Sequence, residues 1–278
     1  MIPVKVELIE NHSVEIYRMA SLDNNNKPLL WVSAFLIDGL LIDLGHENAR
    51  NAFLDVLNID NVEKCVLSHH HEDHIAASHD LINKYKIPVY ANRETKFLAS
   101  LKIKIPPERM LTWGLPKQCR AQELPSLKEF KTEKASFEII PSPGHCFNII
   151  SFFHNKKELL FATDAFIDEN LDVIFNWENA NIILETVEKF KSYNPKYIFS
   201  SNGRVYTQDG LDNLINYWKD IKNRSLELYN EGNKTRQIVR HIFGRESWVK
   251  AATSGDMSRE NLVRSLIGLP PLFKKRNY

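Results

Sequence analysis

The sequence Ser68-His69-His70-His71-Glu72-Asp73-His74 places four histidines and two carboxylates within seven residues. It follows the apolar run Cys65-Val66-Leu67 and precedes Ile75-Ala76-Ala77 and a segment with a helical pattern. This order predicts a loop that connects a β-strand to an α-helix. Loops of this kind carry the functional residues of many α/β proteins, because a rigid scaffold holds them in place.

The composition of this loop is typical of a metal site. His69 and His71 are two residues apart, so in an extended backbone both imidazoles point to the same side and can bind one ion. Asp73 and His74 follow where the chain turns toward the helix, and they would face a second position nearby. Imidazole favours zinc or iron, and the carboxylate adds manganese or a two-metal centre. The alternative is a His-rich surface loop that binds metal without function.

Two further residues of the ligand type follow predicted strands. His145 lies in Pro143-Gly144-His145 after the strand-like run 137–140, and Gly144 permits a tight bend there. Asp164 follows the apolar run Phe161-Ala162-Thr163. A carboxylate at that place can bridge two metal ions or complete the coordination of one, although a turn or helix-cap aspartate is the alternative.

In this order, His69-x-His71-x-Asp73-His74, the Pro-Gly-His turn and Asp164 resemble the metal-binding signature of the metallo-β-lactamase superfamily. The resemblance implies an α/β protein of four layers, the αββα sandwich of that family. It also implies the metal ligands, which would be His69, His71, Asp73, His74, His145 and Asp164.

One position departs from the family pattern. A last histidine, usually in a Gly-His-Gly-like turn, completes the second metal position in the family, whereas Asn202 stands at the expected place in Ser201-Asn202-Gly203. An amide oxygen is a far poorer zinc ligand than imidazole. We therefore expect one firmly bound zinc ion and a doubtful second site, and iron or manganese stay open as alternatives.

The rest of the chain divides into a β-rich part and a helical part. The runs Val4–Leu8, Trp31–Ile37 and Leu40–Asp43 predict a β-meander in which Asp38-Gly39 forms a two-residue hairpin turn. From residue 208 the apolar spacing becomes helical, and Ser258 is a predicted N-cap of the last helix. We therefore predict a metallo-β-lactamase-like αββα domain at residues 1–207 and a C-terminal helical extension packed on it at 208–278.

Three features near the predicted site have more than one interpretation. Asp43 resembles a family aspartate that lies near the metal without binding it, but an aspartate before Gly45 also fits an ordinary turn. His46 could line the cleft, but a position on the surface of a loop is expected. The proline-broken segment 97–136 is either a lid or simple packing on the sheet, and Arg109 would favour an anionic substrate if the segment is a lid.

Composition limits the location and the partners. The 278-residue chain has a net charge of +1, so there is no overall charge that attracts a polyanion. An odd count of three cysteines fits a reducing compartment, and neither a signal-peptide pattern nor a long apolar run is present. We expect a cytoplasmic protein with a small-molecule substrate and without a membrane partner, and a homodimer stays open. Nucleic acid is not expected, although residues 208–278 carry 13 basic and 8 acidic residues.

The expected activity is hydrolysis of a small ester, thioester or lactone by metal-activated water, with Asp73 as the catalytic residue that orients the water or takes its proton. Three alternatives remain: a mononuclear iron oxygenase of the same fold, a nuclease-like phosphodiesterase, and a binding protein with weakened catalysis.

Overall fold

Two β-sheets pack face to face in the structure, a computed structural model that describes residues 2–102 and 104–272. The first sheet has the strand order β1 to β7. Its strands are β1 (Val4–Asn11), β2 (Val14–Ser21), β3 (Val32–Ile37), β4 (Leu40–Ile42), β5 (Lys64–Val66), β6 (Val89–Ala91) and β7 (Gln122–Glu123).

The second sheet has the order β14-β13-β11-β10-β9-β8. Its strands are β8 (Glu129–Lys131), β9 (Ser136–Pro141), β10 (Ile150–His154), β11 (Leu159–Thr163), β13 (Tyr197–Ser200) and β14 (Val205–Tyr206). A separate antiparallel pair joins β12 (Ile174–Phe175) to β15 (Met257–Ser258).

Helices cover the outer faces of both sheets. They are α1 (Arg50–Val56), α2 (Ser78–Asp80), which continues as a π-helical turn (Leu81–Tyr85), α3 (Arg93–Ser100), α4 (Pro107–Trp113), α5 (Ala180–Lys191), α6 (Gln208–Asn230), α7 (Thr235–Phe243), α8 (Val249–Ala252) and α9 (Arg259–Leu266). Short 3₁₀ helices lie at Glu47–Ala49 and Ile59–Asn61. In the described part of the chain, no helix combines the length and the apolar character needed to cross a membrane.

Three buried clusters show that the layers form the predicted αββα sandwich. Side chains alternate across a strand, so Ile16 of β2 packs between the sheets with Phe35 and Phe161, while its neighbour Tyr17 packs beneath the helices of the outer face. The third cluster lies on the outer face of the second sheet, where Trp218 of α6 packs with residues of α5 and α9.

Several local predictions are confirmed. Asp38 and Gly39 have φ of 45° and 83° and turn β3 into β4, as the Asp-Gly pair predicts. A helix begins at Gln208, and the Ser258 side chain accepts a hydrogen bond from Asn261 N at the start of α9. The division of the chain at residue 207 into a domain and an extension stays a prediction.

Strand β2 and helix α5 are among the elements that the sequence patterns did not predict. Strand β2 follows a turn in which His12 and Ser13 have φ of 51° and 64°, and the turn lacks the Asn-Gly or Asp-Gly pair that usually predicts a two-residue hairpin. Helix α5 begins after Asn179, whose side chain accepts hydrogen bonds from Asn181 N and Ile182 N. This cap is visible in the sequence, and Ile183, Val187 and Phe190 follow it at helical spacing, so the signal for the helix was present.

The topology brings several loops to one edge of the sandwich. Strands β4 and β5 are parallel neighbours in the first sheet, and β11 and β13 are parallel neighbours in the second. Parallel strands end at the same edge, so the loop after β5 lies beside the residue after β4. Likewise, the residue after β11 lies beside the residue after β13. His69, His71, Asp73, His74 and Asp164 are in the loops after β5 and β11. His145 follows β9, which runs in the same direction as β11 and therefore ends at the same edge.

Candidate metal centre

The structure brings together the ligand-type residues that the sequence singled out. The ligand atoms of His69, His71, His145 and Asp164 lie within 4.8 Å of one another. A second group, Asp73, His74 and Asp164, meets the same criterion, so Asp164 belongs to both groups.

Asp164 lies at the centre of these groups. Its Oδ2 is 3.6 Å from His69 Nε2, 3.4 Å from His74 Nε2 and 3.2 Å from His145 Nε2. The preceding Thr163 has φ of 48°, a conformation that is costly for a β-branched residue and that ends β11 abruptly. The same bend turns Asp164 toward the histidines.

Asp43 orients two of the histidines from behind. Its Oδ1 accepts a hydrogen bond from Ser68 N at 2.7 Å, and its Oδ2 accepts bonds from Ser68 Oγ at 2.7 Å and His74 Nδ1 at 2.8 Å. Because the Ser68 hydroxyl donates its one proton to Asp43, it accepts from His69 Nδ1, which lies 2.9 Å away. Both rings therefore carry a proton on Nδ1 and can present the Nε2 lone pair to a metal.

The carboxylate of Glu178 orients His145, as the carboxylate of Asp43 orients His74. His145 Nδ1 donates to Glu178 Oε1 at 2.5 Å, while Glu178 Oε2 accepts from Phe175 N at 2.6 Å. Sequence reasoning missed Glu178, which lies 33 residues from its partner. The capped start of α5 just beyond it was the available signal.

Gly144 allows this arrangement. Its φ is 133°, and an added Cβ would lie 2.5 Å from Ile183 Cγ1 and 2.7 Å from Ile183 N. Only glycine lets the turn approach α5 this closely, and that approach brings His145 to Glu178.

Burial and charge separate the histidines into two types. Burial, followed by the neighbouring imidazoles, lowers the pKa of His69 and His71 well below the usual value, so both are neutral and suited to metal binding. Burial alone would lower the pKa of His74, but Asp164, Asp73 and Asp43 outweigh it and raise that pKa well above the usual value. The carboxylates thus favour a positive charge at this point, which either a proton or a metal ion supplies.

Burial raises the pKa of the Asp73 carboxyl to about 6, and Glu72 and Asp164 contribute further. Burial would also raise the pKa of Asp164, but His74 and His145 nearby lower it instead. Two neighbouring carboxyls therefore differ in acidity, as in sites where one carboxyl handles protons and the other stays ionised.

The unsatisfied atoms fit a bound metal ion. His69 Nε2, His74 Nε2 and Asp73 Oδ1 are buried, and within residues 2–102 and 104–272 they make no hydrogen bond of normal geometry, although buried polar atoms are normally paired. These atoms belong to the two groups above. Three imidazoles and a carboxylate are a donor set suited to zinc or to iron.

The loop after β13 differs from the expectation. Asn202 Nδ2 donates to Ile167 O of the loop after β11 at 2.7 Å, and Asn202 Oδ1 accepts from Arg204 N at 2.8 Å, so both ends of its amide are already hydrogen-bonded. Ser201 N donates to Thr163 O at 3.3 Å, which places Ser201 next to Asp164, and the Ser201 side chain helps to lower the pKa of that carboxyl. Ser201 therefore lies beside Asp164 of the second group. This is one position before Asn202, the residue that the family resemblance places there.

Part of the segment 97–136 covers the centre. Arg109 of α4 donates from Nε to Glu72 Oε1 at 2.6 Å and from Nη2 to Glu72 Oε2 at 2.9 Å. The guanidinium also lies 5.2 Å from the Trp177 ring, and that ring is 6.2 Å from the His71 ring. Arg109 is thus paired with a residue of the ligand loop and does not offer a free charge to an anionic substrate.

His46 is not on the surface as expected. It is fully buried, and its ring lies 5.2 Å from that of Trp113 at the end of α4. The Asn48 amide next to it donates to Leu111 O at 3.0 Å, which fixes α4 over this loop. A packed contact of this kind brings together residues far apart in sequence, so the loop pattern alone did not reveal it.

Comparisons with known proteins agree with this architecture. A sequence profile of the Metallo-beta-lactamase superfamily matches residues 32–201. The "Beta-lactamase-like protein 2 homolog" of Drosophila melanogaster is 23% identical over 215 residues, which cover 73% of this chain and 70% of the relative. The Caenorhabditis elegans protein with the same description is 23% identical over 241 residues, which cover 82% of this chain and 74% of the relative.

A solved structure shows the same fold. A metallo-beta-lactamase family protein of Thermus thermophilus superposes with a TM-score of 0.61 at 15% identity, and the match covers 91% of both chains. The sequence profile spans more than half of the 278 residues, across both sheets and all of the ligand-type positions. The chain belongs to the metallo-beta-lactamase superfamily.

Proposed function

We propose that the protein is a metal-dependent hydrolase that cleaves a small ester, thioester or lactone. The observation that carries the proposal is the convergence of His69, His71, His145 and Asp164, whose ligand atoms lie within 4.8 Å of one another. His69 Nδ1 donates to Ser68 Oγ and His145 Nδ1 donates to Glu178 Oε1, so the Nε2 lone pairs that face the centre are already oriented.

A zinc ion bound at this centre supplies an activated water and an electrophile for the substrate oxygen. The chain supplies the proton acceptor. Asp73 Oδ1 is buried without a partner beside the ligand groups, and burial raises the pKa of this carboxyl to about 6. A carboxyl with that pKa can take a proton from water near neutral pH and release it again. Asp73 would therefore orient the water and accept its proton.

We further propose that the second group, Asp73, His74 and Asp164, binds a metal ion only weakly. Ser201 supplies a hydroxyl where a further imidazole would complete this group, and a neutral hydroxyl is a poor zinc ligand. A location in a reducing compartment, such as the cytoplasm, is supported by the three cysteines, none of which forms a disulfide.

The test combines metal content with turnover. Protein purified without added metal is measured for metal per chain by mass spectrometry, and the zinc-loaded protein is assayed with esters, thioesters and lactones. We expect one zinc per chain and hydrolysis of at least one class, with kcat lowered about a hundredfold or more in Asp73→Asn. The matched control, Asp55→Asn on the exposed side of α1, should retain full activity. Unchanged turnover in Asp73→Asn would contradict the assigned role.

A second candidate, a mononuclear iron oxygenase, is supported by the same donor set, since histidines with one carboxylate and open positions suit ferrous iron. One iron per chain after aerobic purification, together with oxygen consumption and the absence of hydrolysis, would select this candidate over the hydrolase.

A further inference from the structure

A third group of ligand-type residues lies at the outer side of the centre. The ligand atoms of His70, His71 and Cys146 lie within 4.8 Å of one another. All three residues are partly exposed, whereas His69 and His145 beside them are buried. The three residues of this group therefore keep some contact with solvent, whereas His69 and His145 keep almost none.

Cys146 differs from the other two cysteines. Cys65 and Cys119 have no exposed surface and lie in the apolar cluster of the first sheet. Cys146 follows His145 directly and faces two imidazoles. Sulfur is the soft donor that zinc, cadmium and copper(I) prefer, and the inner ligand groups contain no sulfur.

We propose that His70, His71 and Cys146 form an additional binding site for a thiophilic metal ion, and that an ion in this site competes with the inner centre for His71. Two imidazoles and one thiolate supply three protein ligands and leave an open position. On binding, the thiol proton of Cys146 passes to solvent, and the sulfur binds as thiolate.

His71 belongs to both the inner and the outer group, so an ion in the outer site should affect the inner centre. His71 Nδ1 lies 2.9 Å from His145 Nε2 and therefore points to the inner centre. An outer ion must use the other ring nitrogen of His71, or rotate the ring and remove Nδ1 from the inner group. Either change alters an inner ligand, so excess metal should inhibit the hydrolase. This inhibition rests on the proposed function, whereas the binding itself does not.

Cobalt(II) separates the two sites, because only a cobalt–thiolate bond gives a strong charge-transfer band in the near ultraviolet. Metal-free protein is titrated with cobalt(II) under anaerobic conditions. We expect the weak visible bands of nitrogen and oxygen ligands first, and the thiolate band at higher cobalt concentration. Cys146→Ser should abolish the thiolate band, His70→Asn should require at least tenfold more cobalt to produce it, and the control Cys119→Ala should retain it.

Two further measurements complete the test. Cadmium should protect Cys146 of the wild-type protein from alkylation by iodoacetamide, as read by peptide mass spectrometry, so the result does not depend on a variant. If hydrolysis is found, half-inhibition by excess zinc should need at least tenfold more zinc in Cys146→Ser than in the wild type.

The outcomes distinguish this proposal from the proposed function. Visible cobalt bands without any thiolate band, a thiolate band that persists in Cys146→Ser, or alkylation unaffected by cadmium would overturn the outer site. A thiolate band in a protein that hydrolyses nothing would support the outer site and count against the hydrolase.

Discussion

Glu178 illustrates how a residue that binds no metal can control one that does. Its carboxylate accepts the Nδ1 proton of His145 at 2.5 Å, which fixes the ring and makes Nε2 more basic. Asp43 has the corresponding role for His74, at 2.8 Å. The affinity of the centre should therefore depend on these carboxylates as well as on the ligands themselves.

Glu178→Gln should weaken zinc binding about 10- to 100-fold, because glutamine cannot accept both of the hydrogen bonds that Glu178 accepts. The measurement is competition against a chromophoric chelator. Glu185→Gln, at an exposed position on the helix α5 that begins just after Glu178, is the matched control and should leave the affinity unchanged. Equal affinity in both variants would show that Glu178 does not orient His145.

Histidine substitutions at Ser201 and at Asn202 should have different effects on the second metal position. Ser201 lies next to Asp164 through its backbone hydrogen bond to Thr163, whereas the amide of Asn202 is bonded to Ile167 O and Arg204 N. Ser201→His should therefore add an imidazole beside Asp164 and raise the metal content from one ion toward two per chain. Asn202→His should leave the content at one. Mass spectrometry of both variants decides the point, and the reverse result would mean that Asn202 faces the metal.

The buried ring of His46 should make the free energy of unfolding depend on pH, and this effect does not involve the metal ligands. Burial lowers its pKa from 6.5 to about 4, so the unfolded chain binds a proton at higher pH than the folded chain does. Stability should therefore fall as the pH decreases from about 6.5 toward 4. Between pH 7 and pH 5 this residue should account for a loss of roughly 2 kcal/mol.

Urea unfolding of metal-free wild type and His46→Gln at both pH values isolates this effect, because the two proteins share every other titrating group. The stability lost between pH 7 and pH 5 should be smaller in His46→Gln. An identical loss in the two proteins would mean that His46 is not buried as a neutral ring.

At the level of elements, α4 is held over the ligand loop by one buried ion pair. The side chains of Arg109 and Glu72 are 15% and 3% exposed, and their two hydrogen bonds have bidentate geometry. Segment 97–136 is therefore neither a free lid nor plain sheet packing. It contributes β7 to the edge of the first sheet and β8 to the edge of the second. Helix α4, which precedes these strands in the chain, lies against the ligand loop through Arg109.

Arg109→Met should lower the free energy of unfolding by about 3 kcal/mol, because Glu72 would keep a buried charge without its partner. The double variant Glu72→Gln with Arg109→Met should recover most of this loss. Arg224→Met removes an exposed ion pair with Asp220 on α6 and should cost less than about 1 kcal/mol. Equal effects of Arg109→Met and Arg224→Met in urea unfolding would contradict the role of the buried pair.

At the level of the whole molecule, the C-terminal helices complete the core of the second sheet. Trp218 of α6 is fully buried in a cluster that also contains Leu160 of β11 and Ile198 of β13. Its Nε1 donates to Leu171 O at 2.6 Å, which ties the helix to the loop after β11. This packing agrees with the expectation of a helical segment that lies on the sandwich.

Trp218→Ala should therefore destabilise the protein by about 3 to 5 kcal/mol, through lost burial and the cavity that remains. Trp248, which is 74% exposed, provides the matched control, and Trp248→Ala should change stability by less than about 0.5 kcal/mol. Unfolding should occur in one transition that both sheets share. A separate early transition of the C-terminal helices would show that they form an independent unit.

Local patterns in the sequence determined many of the strands, turns and helices of this protein and the order of its ligand-type residues. The strand before Ser68, the order of the ligand-type residues and the helical period after residue 208 are all short-range features, and the structure contains each of them. A histidine spacing of two fixes which side of an extended chain the rings share, and an Asp-Gly pair fixes a hairpin turn, because both depend only on the local backbone.

Only the tertiary structure decided which residues support the ligands. Glu178 meets His145 because Gly144 lets a turn press against α5, and Arg109 meets Glu72 because α4 folds back over the loop. Ser201 rather than Asn202 faces Asp164 because β11 and β13 run in parallel with a shift in register at the end of β11. These contacts join residues about 33 to 37 positions apart, and no local pattern encodes the packing of separate elements that brings them together.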